Sequence, residues 1–211
     1  MKLKISLTTS IRSQDSLGLN ETPMLLLCKL AGHGLGSHIQ TLDQAVGGLI
    51  SSEVDKTNFR GNRGEYFVLD IDQEDAPQSV MLVGLGTPDK FDSGAIVQLV
   101  ELAVEEAVKR GCSKVSVPIL PNRQAQGINL RGQAHLIKVT AERKVASLRV
   151  DEGELEIELV CAPQAKAHLQ KGLSCKRMGS DGRCCDETAE GGSKSGQTRK
   201  RVLSVSSGSS K

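Results

Sequence analysis

From Gly94 to Arg110 the apolar residues recur at three and four spacing. Ile96, Val97, Leu99, Val100, Ala103, Val104, Ala107 and Val108 form one continuous stripe, the signature of a long amphipathic helix. Glu101 and Glu105 fall on the opposite side. Asp92 or Ser93 can cap the first turn, Lys109 and Arg110 complement the negative end of the helix dipole, and Gly111 supplies the left-handed residue that stops it. A stripe this broad has to be buried, so the rest of the chain must provide a layer for it to cover.

Short apolar runs provide that layer. Lys2 to Leu7 alternates with period two, as an edge strand does, and Pro23 to Leu30 is a dense run suited to a buried strand. Glu65 to Ile71 and Ser79 to Val83 are rich in β-branched and aromatic or aliphatic residues, and the second is closed by Gly84-Leu85-Gly86. Ser113 to Ile119 reads as a strand ended by two prolines, Pro118 and Pro121, and Leu155 to Cys161 alternates again and closes the folded part. Between them, Thr41 to Ile50 predicts a short helix with Thr41 or Asp43 at its start, and Leu130 to Ser147 a further one. The order β-β-α-β-β-α-β-α-β predicts an α/β fold, a mixed sheet with helices on both faces.

The pattern ends near Leu173. Residues 174–211 are rich in Ser, Gly, Lys and Arg and carry few aliphatic side chains. Such a segment cannot bury enough surface to offset its ordering entropy, so a disordered tail is expected. Charge divides at the same place: residues 1–173 hold 19 Lys and Arg against 21 Asp and Glu, and residues 174–211 hold 8 against 4. The 211 residues thus divide into one domain over 1–173 and a basic tail over 174–211.

Composition excludes several functions. The aromatic residues are Phe59, Phe67, Phe91 and Tyr66, with no Trp, too few for a base-stacking platform or an immunoglobulin-type core. A net charge of +2 gives no electrostatic footprint for nucleic acid over the whole chain. No run of about 18 apolar residues is present to span a bilayer, and the N-terminus has no apolar core of a secretory signal. A cytoplasmic protein with neither membrane nor nucleic acid as partner is the expectation. Cys28, Cys112 and Cys161 sit singly in apolar segments as buried thiols. Cys175, Cys184 and Cys185 form no CxxC pair and have no His beside them, so they do not spell a zinc site.

The ordered set Leu42-Asp43, Gly47-Gly48, Asn58-Phe59-Arg60-Gly61 with Gly64, Val80 to Gly86 (VMLVGLG), the helix at 94–110 with Gly111, and Leu120-Pro121 resembles the N-terminal domain of the leucyl (cytosol) aminopeptidases, a family of metallopeptidases. The resemblance implies a macro-domain-like fold. It also implies a parent enzyme that removes N-terminal residues from peptides with two divalent metals, manganese or zinc. In that family the metals and catalytic residues belong to a second domain, whose Lys motif and NTDAEGR-like segment are absent from this sequence. Neither catalytic residues nor metal ligands are therefore expected in this chain, and no cofactor bound by it. What the resemblance leaves is a non-catalytic, structural or oligomer-forming part, fitting a truncated or frameshifted product; its partners would be the aminopeptidase catalytic domain or further copies of itself. Phe91-Asp92-Ser93-Gly94 copies four letters of a metal-binding element of that second domain, but its place before the long helix makes Asp92 and Ser93 capping residues.

Three further segments are candidates for binding. The macro-domain resemblance makes a stand-alone module for a nucleotide or ADP-ribose the alternative function, with the backbone amides of Gly84, Leu85 and Gly86 as the loop that would approach a phosphate. Asp89 and Asp92 nearby would repel a diphosphate, and a tight strand-to-helix turn accounts for the glycines equally well. The second, Gly32-His33-Gly34-Leu35-Gly36-Ser37-His38, is a polar loop whose two His have no carboxylate or thiol partner beside them in sequence. In the tail, Lys194, Arg199, Lys200 and Arg201 could contact a polyanion.

Overall fold

The computed structural model describes residues 1–9, 22–118, 120, 128–148 and 152–179. Six strands form one sheet: β1 (Lys2–Thr9), β2 (Met24–Lys29), β3 (Tyr66–Asp70), β4 (Ser79–Gly84), β5 (Lys114–Pro118) and β6 (Glu154–Cys161), in the order β1-β6-β5-β2-β4-β3. Every pairing is parallel except β3 with β4, which is antiparallel. The dense apolar run predicted around Pro23 to Leu30 is the central β2, and the alternating Lys2 to Leu7 is the edge strand β1. A central parallel strand is buried on both faces, which is why β2 reads as continuous Leu and not as an alternation.

Among the described residues five α-helices cover the sheet: α1 (Ser37–Ala45), α2 (Leu49–Lys56), α3 (Ser93–Arg110), α4 (Leu130–Ser147) and α5 (Pro163–Ser174). Helices α1 and α2 pack on Leu25, Leu27, Val80, Leu82 and Phe67 of one face. The other three pack on the opposite face, where Ile96, Leu99 and Val104 of α3 meet Leu26, Met81 and Val115. Each such aliphatic side chain taken from water contributes roughly 1.5–3 kcal/mol. Helix α3 begins where the sequence places it: the Asp92 carboxylate accepts a hydrogen bond from the Ala95 amide at 2.9 Å, and Gly111 ends the helix with φ 68°. Glu101 and Glu105, off the apolar stripe, pair with Arg143 and Lys144 of α4.

Three expectations need correction. The helix predicted over Thr41 to Ile50 is two helices, because Gly47 and Gly48 both adopt positive φ and turn the chain between them. Asp43, expected to cap its own helix, instead caps the next one. Its Oδ1 accepts hydrogen bonds from the amides of Ile50 at 2.8 Å and Ser51 at 3.0 Å, two of the donors that a helix start leaves unpaired. Strand β6 does not close the fold either, since α5 follows it. Pro163 stands at its first turn, where a missing N–H costs nothing. A side chain at Gly172 would strike the Arg131 carbonyl and the Ala134 methyl of α4, so small residues set the crossing of these two helices. Beyond α5, Cys175 is buried and disulfide-bonded; Cys184 and Cys185 lie outside the described residues.

Candidate functional site

The chain leaves β2 toward α1 on one face, whereas the neighbouring strands β4 and β5 lead to α3 and α4 on the other. Divergent exits of this kind open a crevice at the carboxyl ends of the strands, the usual ligand position in open α/β sheets. A cavity of about 420 Å³ lies there. Leu26, Leu27 and Leu30 of β2 and its continuation contribute to the lining, with Leu85, Pro118 and Leu120 from the ends of the adjacent strands. The loop from His33 to Gly36, with Leu35, and His38 of the first turn of α1 complete it.

The polar groups of the lining are Cys28, Lys29, His33 and His38. Burial pushes the Cys28 thiol up to about 12, so it is a protonated, apolar-like wall and not a nucleophile. Lys29 is buried, and its Nζ donates to the Arg60 carbonyl at 2.9 Å. Burial also lowers the Lys29 ammonium below the ordinary lysine range, partly opposed by the carboxylate of Glu65. His38 is held below the ordinary histidine range by burial, and its ring lies back over Gly36, where an added Cβ would come within 3.0 Å of Cε1.

The loop from Asn58 to Glu65 folds over the turn that the sequence proposed as a phosphate cradle. One oxygen of Glu65 accepts the amides of Arg60, Gly61 and Asn62 at 2.9, 2.9 and 3.0 Å. Against the raising effect of burial, the Asn62 side-chain amide, which donates to the other oxygen at 2.6 Å, and these backbone hydrogen bonds prevail and hold the Glu65 carboxyl below its usual range. The loop so fixed lies against the glycine turn. The Gly84 amide donates to the Glu65 carbonyl at 2.8 Å, Leu85 to that of Lys29 at 2.9 Å, and Gly86 to that of Gly61 at 3.0 Å. All three amides are thus engaged within the protein, and the glycines serve the close approach of the covering loop. Of the three residues, Leu85 alone lines the cavity.

The loop from Gly32 to His38, in sequence a polar segment whose two His have no partner beside them, frames the cavity. The signal available for it was its position after the most apolar strand, at a point where the direction of the chain reverses between layers. Lys194, Arg199, Lys200 and Arg201 lie outside the described residues. Asp92, besides capping α3, forms an ion pair with Arg63 at 3.3 Å. Among the described residues no three His, Cys, Asp or Glu side chains converge to hold a metal ion, so a two-metal centre does not fit the groups this part of the chain presents. Among the same residues, no helix is long and apolar enough to cross a membrane.

Comparison with solved structures gives two groups of relatives. A mutant of tomato leucine aminopeptidase superposes with a TM-score of 0.58 at 14% identity, covering 81% of this chain and 36% of that one. The chain thus spans about a third of the length of that enzyme. The macro domain of ganglioside induced differentiation associated protein 2 superposes with a TM-score of 0.62 at 12% identity, covering 80% of this chain and 81% of that one. A Trypanosoma brucei macrodomain in complex with ADP gives 0.59 at 13% identity, covering 81% and 69% respectively. At these identities the likeness is one of fold, and it establishes a macrodomain-like sheet. No curated protein matches the chain in sequence. The N-terminal domain of the cytosol aminopeptidase family matches residues 28–143, more than half of the chain. This stretch runs from the end of β2 to the last turns of α4 and includes the glycine turn, the covering loop and the frame of the cavity; the chain belongs to the cytosol aminopeptidase family, whose N-terminal domain it carries.

Proposed function

We propose that this chain is a non-catalytic accessory domain of a metal-dependent aminopeptidase. In this reading residues 1–173 support a catalytic domain or the packing of subunits, residues 174–211 are a basic appendage, and the chain holds no catalytic metal of its own. The observation that carries it is the family match, which falls on the N-terminal domain. The absence of a metal-holding cluster among the described residues agrees with it. The test is an assay of the purified chain on a leucyl chromogenic substrate with added manganese, together with its metal content. No turnover and no stoichiometric metal are expected; turnover that tracks the purified protein overturns the reading.

A second reading, a module that binds a nucleotide or ADP-ribose, draws on the position of the cavity and on the macrodomain-like fold. The engaged amides of Gly84 to Gly86 weigh against it. Calorimetric titration of the chain with ADP-ribose decides it: a flat titration at high micromolar ligand removes the second reading, and saturable heat restores it.

A further inference from the structure

The cavity at the end of β2 has a lining with a definite chemical character. Its size, about 420 Å³, falls within the roughly 300–1,000 Å³ of small-molecule sites. About half of the lining surface is apolar, from residues such as Leu30, Leu35 and Leu120. The polar remainder is basic or neutral: Lys29, His33, His38 and the protonated Cys28. Among the described residues that line it, none is acidic and none is Phe, Tyr or Trp. Helix α1 starts beside it at Gly36 without an acidic residue in its first turn, so the positive end of that helix is not neutralised locally.

This chemistry selects among ligands. A ligand ammonium would find no carboxylate among the described lining residues. A nucleoside would find no aromatic face for its base and no carboxylate for its ribose hydroxyls. A diphosphate would find the amides of the glycine turn already bonded. A single negative charge on a hydrocarbon body meets both halves of the lining.

We infer that this cavity binds a carboxylate carried on an aliphatic body, with the oxygens toward His33, His38 and Lys29 and the hydrocarbon against Leu30, Leu35 and Leu120. Two sources present that chemistry: a medium-chain fatty acid, and the C-terminal carboxylate of a peptide ending in an aliphatic residue. The site stands apart from the accessory role proposed above, which can fail without it and survive without it.

The test is a set of amide-resolved NMR titrations of the full chain with octanoate, N-acetyl-leucine, octanol and ADP-ribose. Octanoate, N-acetyl-leucine or both shift the amides of residues 27–30 and 33–38, and whichever binds identifies the source. Octanol, the same kind of body without the charge, binds more weakly than octanoate. Gly34→Phe puts a bulky ring on a residue that lines the cavity, at a position where an added Cβ meets nothing within 4 Å, and weakens carboxylate binding by roughly tenfold or more. His38→Ala, a smaller change read against a retained native spectrum, weakens it in the same direction. The inference is overturned if neither carboxylate shifts these amides, if octanol binds as well as octanoate, if folded Gly34→Phe and His38→Ala bind like the parent, or if ADP-ribose occupies the same residues more tightly than either carboxylate.

Discussion

Gly84 stands so close beneath the Asn62 carbonyl oxygen that a methyl group in place of its hydrogen would overlap it. The end of β4 and the loop from Asn58 to Glu65 are therefore in backbone-to-backbone contact, with no side chain between them. Gly84→Ala has to separate the two, and a destabilisation of about 1–3 kcal/mol is expected, as for other overpacking changes. Urea denaturation measures it. Gly34→Ala, where nothing lies within 4 Å, is the matched control and should leave the midpoint almost unchanged.

The elbow between α1 and α2 depends on one carboxylate. Asp43→Ala leaves the amides of Ile50 and Ser51 without their acceptor, and a loss of about 1 kcal/mol is expected. Hydrogen exchange gives the specific readout: the Ile50 and Ser51 amides should exchange faster than in the parent, while amides of α4 do not change. Equal protection at both positions would show that the cap is not formed in solution.

Glu158 is a buried carboxylate with three partners. Ser116 and Thr8 each donate to it at 2.6 Å, and the Lys114 ammonium lies at 2.9 Å. Burial alone would raise its pKa, but these hydrogen bonds and the Lys114 charge prevail and hold it below the ordinary 4.5. A depressed folded pKa contributes stability that is complete above the unfolded value and is lost as the pH falls through the folded one. The parent should therefore lose stability below pH 4.5. Glu158→Gln should be less stable at neutral pH by about 1–3 kcal/mol and show a flatter decline in acid. Parallel acid limbs in urea titrations of the two proteins would remove Glu158 from the account.

Cys28 lines the cavity yet has its thiol pushed up to about 12. Iodoacetamide at pH 8 should leave it unmodified in the folded protein and alkylate it in urea, as site-resolved mass spectrometry would record. As a residue Cys28 is half-buried, so the protection expected is that of a thiol held protonated; rapid modification in the native state would show that it is not.

Much of the architecture was legible because periodicity and burial agree. Lys2 to Leu7, Ser79 to Val83 and Leu130 to Ser147 carry the spacing that their layer requires, and the structure places elements over them. Helix α5 was not legible: its buried face is Ala165, Leu169 and Gly172, too little apolar surface to stand out from the polar residues around it. Its one local sign, Pro163 at the start, is common to loops and helices. The break at Gly47 and Gly48 is masked in the sequence because Ile50 continues the apolar spacing of Leu42 and Val46 by coincidence of the turn. The cavity was illegible for a different reason. The loop carrying His33 and His38 is far from Leu120 in the chain, and the two meet only when the exits of β2 and β5 diverge, which is a property of topology and not of any local run of residues.

Strand β1 pairs along its whole length with β6, Lys2 against Glu154 through Thr9 against Cys161. A ribosome delivers the first of these strands long before the second. During synthesis β1 has no partner, and the sheet cannot be completed until the chain has emerged past Cys161. Contacts so distant in sequence favour slow closure. The open edge of the growing sheet is the side of β5 that later receives β6, so an incomplete chain ending before β6 presents that edge to any extended segment nearby.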